Sequence, residues 1–468
     1  MATNQQQITL NVYVNKMKNC VAFVESDLDF VDVLFSFLTL PVGTIVRLLK
    51  KQSSLGCFDK LYQGVDNKYL ATAACRLMLT KPVNSSRVKC QKLKINIDEI
   101  GKLFTCASKI CSYRALSYYS SLEHCRCGHH MDRKISYDLN RDYVNYEECR
   151  GVFIKGNKFL VTDSLLVESL EHAKSSFVGP YGVWNGLEER SITIEQAQVL
   201  QILKRSLISD TPLTDVLLRN EEDIPPRLSV PPPVVKTVAI KASDKENKIY
   251  KIKLALVGNR VMYAEAGQDF VDVILSFLTF PLGALKKHLG SRFKIACLNN
   301  LYGSAERLAS SGFVVEGCEE NLLNPKLAPY FNCKHQVIGV EVDKEPLYFA
   351  CDYRCRLSAK RYNCYSPGHS GIKAKRALLI DPKTSTEGLN FSEGSFCKQI
   401  TYMVSDELVV TPFSFTPVFS LHRNISEPVK MVELGIDKEE VLDLLDAALS
   451  SSTALTDAFF DRANAALG

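Results

Sequence analysis

Residues 29–43 read DFVDVLFSFLTLPVG, and residues 269–283 read DFVDVILSFLTFPLG. Eleven of the fifteen positions are identical across an offset of 240 residues. In the first block Phe30, Val33, Leu34, Phe37 and Leu38 recur at helical spacing, and Val31 and Phe35 make the other side apolar too. A helix that is apolar all round belongs in a core. Asp29 stands where an N-cap belongs, and Asp32 three residues later is placed to reach back toward it, a capping-box arrangement worth about 0.5–2 kcal/mol. The same holds for Asp269 and Asp272. Acid–base or metal chemistry is the other reading of these paired carboxylates, but no His or Lys lies nearby in sequence to complete a proton-transfer pair. Pro41 and Gly43 end the helix or turn it into a second helical stretch over Thr44–Lys51.

The similarity extends outward from the block. Leu55-Gly-Cys57 through Leu61-Tyr62 falls on Ile295-Ala-Cys297 through Leu301-Tyr302 at the same offset of 240. Phe104-Thr-Cys106 matches Phe349-Ala-Cys351 at 245, Val161-Thr-Asp163 matches Val404-Ser-Asp406 at 243, and Leu213-Thr-Asp215 matches Leu455-Thr-Asp457 at 242. Islands in one order with drifting offsets indicate duplication of a whole unit, too long for a solenoid repeat. Between the copies, residues 221–233 hold five of the eighteen prolines. Such a stretch reads as a semi-rigid spacer, or as a docking segment for an aromatic groove.

Each unit opens with a β-hairpin signal, Ile8–Val14 and Cys20–Glu25 around Asn15–Asn19, then Tyr250–Val257 and Arg260–Glu265 around Gly258-Asn259. Each closes with a two-helix hairpin: Val199, Leu200, Leu203 and Leu207 form an apolar stripe, as do Val441, Leu442, Leu445 and Leu449. Thr211 before Pro212 is a plausible cap for the last helix of the first unit. Strands followed by helices without βαβ alternation predict an α+β class. The expected architecture is two tandem homologous domains, 1–220 and 237–468, joined by a proline-rich linker over 221–236. Each would carry a small antiparallel sheet, a buried central helix and a C-terminal helical hairpin.

The 468 residues are 46% hydrophobic and 23% charged, which is globular and not disordered composition. A net charge of +5 over this length demands no polyanionic partner. The opening MATNQQQITL has neither a basic nor an apolar region of a secretory signal. The uncharged cores Val33–Val46 and Val273–Leu285 are shorter than the roughly 17–25 residues a membrane span needs. The chain is therefore expected to be intracellular, cytoplasmic or nuclear. In that compartment its sixteen cysteines are reduced, so they are buried thiols or metal ligands.

The first unit has Cys106-x4-Cys111, then Cys125-Arg-Cys127-Gly128 with His124, His129 and His130 around it. Two thiolate pairs separated by a loop suit tetrahedral zinc, and glycine lets the backbone turn toward the metal. Cys-x-Cys is tighter than the usual Cys-x2-Cys, so unliganded buried thiols are the competing reading. The second unit offers a different set, Cys351, Cys355, Cys364 and His369. Four protein ligands leave no open position, so either site would be structural. The same region of the second unit is basic, with Arg354, Arg356, Lys360, Arg361, Lys373, Lys375 and Arg376 interleaved with Tyr353, Tyr362 and Tyr365. Basic charge among aromatics suits nucleic acid, while a solvated loop would look the same. Lys373-Ala-Lys-Arg376 also reads as a weak nuclear-import patch. No phosphate loop, dinucleotide fingerprint, His-Glu-x-x-His or Gly-x-Ser-x-Gly motif occurs, so no specific enzyme is indicated.

The hairpin ending in Phe-Val-Glu or Tyr-Ala-Glu-Ala-Gly, the block Asp-Phe-Val-Asp-Val-x2-Ser-Phe-Leu-Thr-x-Pro-x-Gly, and the Leu-Tyr of 61–62 and 301–302 resemble the recurrent opening of a plant family catalogued as domain of unknown function 674. The closing Val-Thr-Asp and Leu-Thr-Asp elements resemble its far end. The resemblance implies lineage, plant origin and tandem copies, and brings no activity or catalytic residues. The expectation is a non-enzymatic interaction or scaffold protein with a structural zinc knuckle and a protein partner. The alternative is a zinc-containing nucleic-acid-binding protein acting through residues 351–376.

Overall fold

The computed structural model describes residues 6–98, 103–108, 111, 113–120, 124–135, 151–171, 186–219, 250–353, 356–365, 371–384, 394–414 and 427–467. The proline-rich stretch 221–236 lies outside them. The first half opens with strands β1 (Ile8–Asn15) and β2 (Cys20–Ser26), then helices α1 (Leu28–Thr39), α2 (Val42–Leu48), α3 (Phe58–Gln63), α4 (Ala73–Thr80) and α5 (Arg87–Cys90). Short strands β3 (Leu103–Thr105), β4 (Ala115–Ser117) and β5 (Arg133–Ile135) follow, then β6 (Phe159–Thr162), β7 (Val167–Ser169) and β8 (Leu187–Ile194), and helices α6 (Gln196–Ser206) and α7 (Pro212–Leu217).

The second half runs β9 (Tyr250–Val257), β10 (Arg260–Ala266), α8 (Gln268–Ser276), α9 (Leu282–Leu289), α10 (Ala296–Ser310) and α11 (Glu319–Leu323). It continues with β11 (Tyr348–Ala350), β12 (Asn363–Cys364), β13 (Ile372–Lys373), β14 (Lys375–Leu379), β15 (Tyr402–Ser405), β16 (Val410–Pro412) and β17 (Lys430–Ile436), and closes with α12 (Lys438–Ser450) and α13 (Ala454–Ala465). The class is α+β.

Two antiparallel five-stranded sheets have the same order, β7-β6-β2-β1-β8 and β16-β15-β10-β9-β17. In each, the opening hairpin lies at the centre and the strand before the closing helices lies on the edge. The period-2 burial of β1, with Ile8, Leu10, Val12 and Val14 inward, turns one face of the sheet to the core. A third sheet, β11-β14-β4-β3-β5, draws strands from both halves, and its β14–β4 pair is parallel. One contiguous hydrophobic core holds residues of both halves, from Ile8 to Ala463. Among the described residues no helix is long and apolar enough to cross a membrane.

The blocks 29–43 and 269–283 form the buried helices α1 and α8, the latter continuing through a 3-10 turn at Phe277–Thr279. The second helical stretch begins at Val42, two residues earlier than the sequence predicts. The capping expectation needs correction. The N-cap of α1 is Asp27, whose side chain accepts from the Asp29 amide, while Gly267 holds that place in α8. Asp29 pairs instead with Lys94 at 2.9 Å, and Asp269 with His335 at 3.1 Å.

Asp32 is 2% exposed and accepts from the amides of Val152, Phe153 (2.8 Å) and Ile154 (3.2 Å). Asp272 is fully buried and accepts from the amides of Phe396 (2.9 Å) and Cys397 (3.0 Å) and from the Cys397 thiol (3.1 Å). These carboxylates satisfy main-chain donors of a segment more than a hundred residues away, because a buried loop must place its N–H groups somewhere. Thr211 is the N-cap residue of α7, but its side chain makes no capping bond. Working capping boxes occur instead at Glu195/Gln198 before α6 and Asp437/Glu440 before α12.

Candidate metal centre

The third sheet supports the cysteines of the first half. Cys106 follows β3, Cys111 precedes β4, and Cys125 and Cys127 lie in the loop from β4 to β5. Pairing of β3 with both β4 and β5 sets those loops side by side. The Ala107 amide donates to the His130 carbonyl (2.9 Å), pinning the two loops together, and the Cys125 amide donates to the His129 carbonyl (2.9 Å), closing the second loop on itself. The Gly128 amide returns to the Cys125 carbonyl (2.8 Å) with φ at +84°, so this turn requires the glycine that follows Cys127.

The ligand-forming atoms of Cys106, Cys111, Cys125 and Cys127 all lie within 4.8 Å of one another. The Cys106–Cys127 and Cys111–Cys125 sulfurs are each 3.4 Å apart. A disulfide would bring them to about 2.05 Å. Four thiolates around a tetrahedral zinc ion, each at roughly 2.3 Å, stand about 3.8 Å from one another, so the observed cage matches a metal in size. All fourteen described cysteines are thiols. Cys106 and Cys125 are buried, Cys111 and Cys127 half-buried, and Met131 and Ile380 pack against them.

Burial pushes the Cys125 thiol up to about 12 and raises Cys106 as well. The His129 amide above all, with neighbouring thiols and the His129 ring, holds Cys127 down at about 6. The His129 Nδ1 atom lies 3.5 Å from the Cys127 sulfur, and that contact raises the imidazole in turn. A dication among these sulfurs would stabilise all four thiolates at once, which buried uncharged surroundings do not.

The second half places its candidate ligands differently. Cys351 follows β11 as Cys106 follows β3, and is buried; Cys364 is buried in β12. Cys355 and His369 lie outside the described residues, as does Arg354 among the basic positions. Of the basic positions that are described, Lys360, Arg361, Lys373, Lys375 and Arg376 are exposed and Arg356 is half-buried. Arg356 lies over the Tyr362 ring at 4.3 Å and Arg361 over Phe349 at 5.7 Å. Lys375 pairs with Asp352 at 3.7 Å.

The β14–β4 pairing brings this basic segment beside the four-cysteine cage. Arg114 pairs with Asp352 at 3.3 Å, and Arg133 donates to the Tyr353 carbonyl at 2.8 Å. Nearby, the buried Arg87 guanidinium donates to the Tyr348 hydroxyl at 2.8 Å and lies over the Tyr118 ring. Arg87, Arg114 and Arg133 carry no motif, and the sequence offers no signal that they would brace the two halves.

A polar depression of about 260 Å³ is lined by Asp29, Asp32, Lys92, Lys94 and Gly151, among others. Its two carboxylates are already engaged, Asp29 by Lys94 and Asp32 by three amides. A Cβ at Gly151 would collide with the Asp32 carboxylate, so the glycine serves the loop's approach to that side chain.

No curated protein and no solved structure matches this chain. The profile of one family, described as "Protein of unknown function (DUF674)", matches residues 4–434, which takes in both opening blocks, both sheets up to β17 and the four-cysteine cage. The chain belongs to that family.

Proposed function

We propose that this is a non-enzymatic interaction protein in which Cys106, Cys111, Cys125 and Cys127 hold a structural zinc ion. The closeness of the four sulfurs carries this reading, since all lie within 4.8 Å of one another. Four protein thiolates complete a tetrahedron and leave no position for water or substrate, which is the arrangement of a structural and not a catalytic site. The interaction face is the surface beside the knuckle. Leu347 (53% exposed), Tyr353 (49%), Tyr365 (72%) and Leu378 (55%) all lie on the segment that the third sheet joins to it. Large apolar groups exposed along one segment support the choice of this face, since contact sites for other macromolecules carry such groups.

Metal analysis of the purified protein tests this. One equivalent of zinc per chain is expected, falling to none in Cys106→Ser with a lower thermal midpoint. Under a tenth of an equivalent, with Cys106→Ser as stable as the parent, removes the metal from the account.

The second reading has the same face bind nucleic acid. It is supported by the juxtaposition of exposed Lys360, Arg361, Lys373, Lys375 and Arg376 with exposed Tyr353 and Tyr365. Phosphates meet Lys and Arg while bases stack on rings, so affinity for single-stranded RNA would fall steeply with added salt. No retention on RNA or DNA at low salt rules this reading out.

A further inference from the structure

Several contacts between the two halves come in reciprocal pairs. The Val42 amide donates to the Phe280 carbonyl (3.0 Å), and the Leu282 amide to the Leu40 carbonyl (3.1 Å). Pro41 and Pro281 thus face each other as an antiparallel bridge. A Cβ at Gly43 would come within 3.0 Å of the Leu278 carbonyl, and one at Gly283 within 3.1 Å of the Leu38 carbonyl. The Cys57 thiol donates to the Ser451 carbonyl, and the Cys297 thiol to the Ser209 carbonyl, each at 3.1 Å.

The same exchange holds for the backbone. Residues 69–71 of the first half bond to 396–398 of the second, through Ala71 N–H to Phe396 (2.8 Å) and Lys398 N–H to Tyr69 (2.9 Å). Residues 313–315 of the second half bond to 153–155 of the first, through Lys155 N–H to Phe313 (2.7 Å) and Val315 N–H to Phe153 (2.9 Å). In each half the segment receiving the other half is the one that its buried aspartate anchors, Asp32 for 152–154 and Asp272 for 396–397.

We infer that the chain is a tethered swapped dimer: the surface around Pro41–Gly43 and residues 57–71, with its counterpart around Pro281–Gly283 and 297–315, is a docking site for a second repeat of this same kind. Isologous contacts, residue i on j and j on i, are the signature of a two-fold pair. Here Leu40, Val42, Cys57, Phe280, Leu282 and Cys297, from both sides of these contacts, are buried in one common core. Two domains that were merely strung together would each close their own core and meet through a small polar surface. The association resides in these contacts and does not depend on the covalent link between the repeats, which supplies only local concentration.

The test is to cut the link after folding. A protease recognition sequence placed within the proline-rich stretch 221–236 of the full chain is cleaved under native conditions. The two fragments are expected to elute as one particle of the intact size at micromolar concentration. Their common melting midpoint should rise with protein concentration, whereas that of the uncut chain should not. Fragments that part, as two soluble halves or with one precipitating, overturn the inference. So does a cleaved protein that stays together but melts in two concentration-independent steps.

Discussion

Two of the crossings between the halves differ in kind. At Pro41 and Pro281 the contact is symmetric, with each half giving and receiving the same hydrogen bonds. At the third sheet it is not: β14 of the second half lies parallel to β4 of the first, and the described four-cysteine cage stands on the first half's side alone. The symmetric crossing is built around the Pro-x-Gly that the two halves share, Pro41 and Gly43 with Pro281 and Gly283. The asymmetric one is built where their cysteines and charges have diverged. Shared residues at the first crossing carry the architecture, and unequal loops at the second are where a specific role is to be sought.

The largest effect is expected where the symmetric crossing is tightest. A Cβ at Gly43 would stand 2.5 Å from the Leu79 carbonyl as well as near that of Leu278, and backbone cannot step aside as a side chain can. Gly43→Val should cost about 3 kcal/mol, read as a fall in the urea midpoint. Gly64→Ala is the contrast. Its nearest neighbours are 3.4 Å away and its φ is −73°, so the reduced freedom of the unfolded chain should leave stability unchanged or raised by about 0.4–1 kcal/mol.

Next come the anchoring carboxylates. Asp32→Asn replaces an acceptor of three amide bonds with a group that accepts through one oxygen only, and should cost about 1–3 kcal/mol. The substitution also has a pH signature. Burial foremost pushes the Asp32 carboxyl up to about 7, against the pull of the three amides. With the folded value above the unfolded one of about 3.9, its contribution is complete below pH 4 and lost as pH rises through 7. Denaturant titrations of Asp32→Asn should therefore show a shallower decline between pH 4 and 7 than the parent. Equal slopes would mean that Asp32 does not titrate there.

The asymmetric crossing should respond differently. Cys127→Ser is expected to abolish zinc binding, while Cys57→Ser leaves the zinc content unchanged because its sulfur is not one of the four in the cage and bonds to the Ser451 carbonyl. Zinc analysis of the two variants distinguishes a thiol that holds a metal from one that holds a carbonyl. The smallest effect is at the basic segment. Lys375→Ala removes an exposed partner of Asp352, so stability should move by less than about 1 kcal/mol. If RNA is bound there, its affinity should drop and the salt slope shrink by about one.

Much of this was legible in the sequence because it is local. Short β-prone runs around a turn marked both opening hairpins, helical spacing marked α1, α6, α8 and α12, and the Cys-x4-Cys and Cys-x-Cys spacings picked out the four sulfurs that the fold gathers. What was not legible depends on distant partners. Asp32 and Asp272 sit at a helix start, where capping is the economical reading, yet their donors arrive from residues 152–154 and 396–397. Apolar position reveals burial but not the identity of the neighbour, so nothing in Val31 or Leu38 announced that the core they enter would be common to both halves. Glu195 with Gln198 and Asp437 with Glu440 are local capping boxes that the sequence also carries.

The claim that the divergent loop of the first half is a metal knuckle is tested most directly by zinc-edge X-ray absorption on the purified full chain. A single shell of four sulfurs at about 2.3 Å is the predicted result. A shell with nitrogen or oxygen ligands, or protein that carries no zinc after growth and purification with the metal supplied, would contradict it.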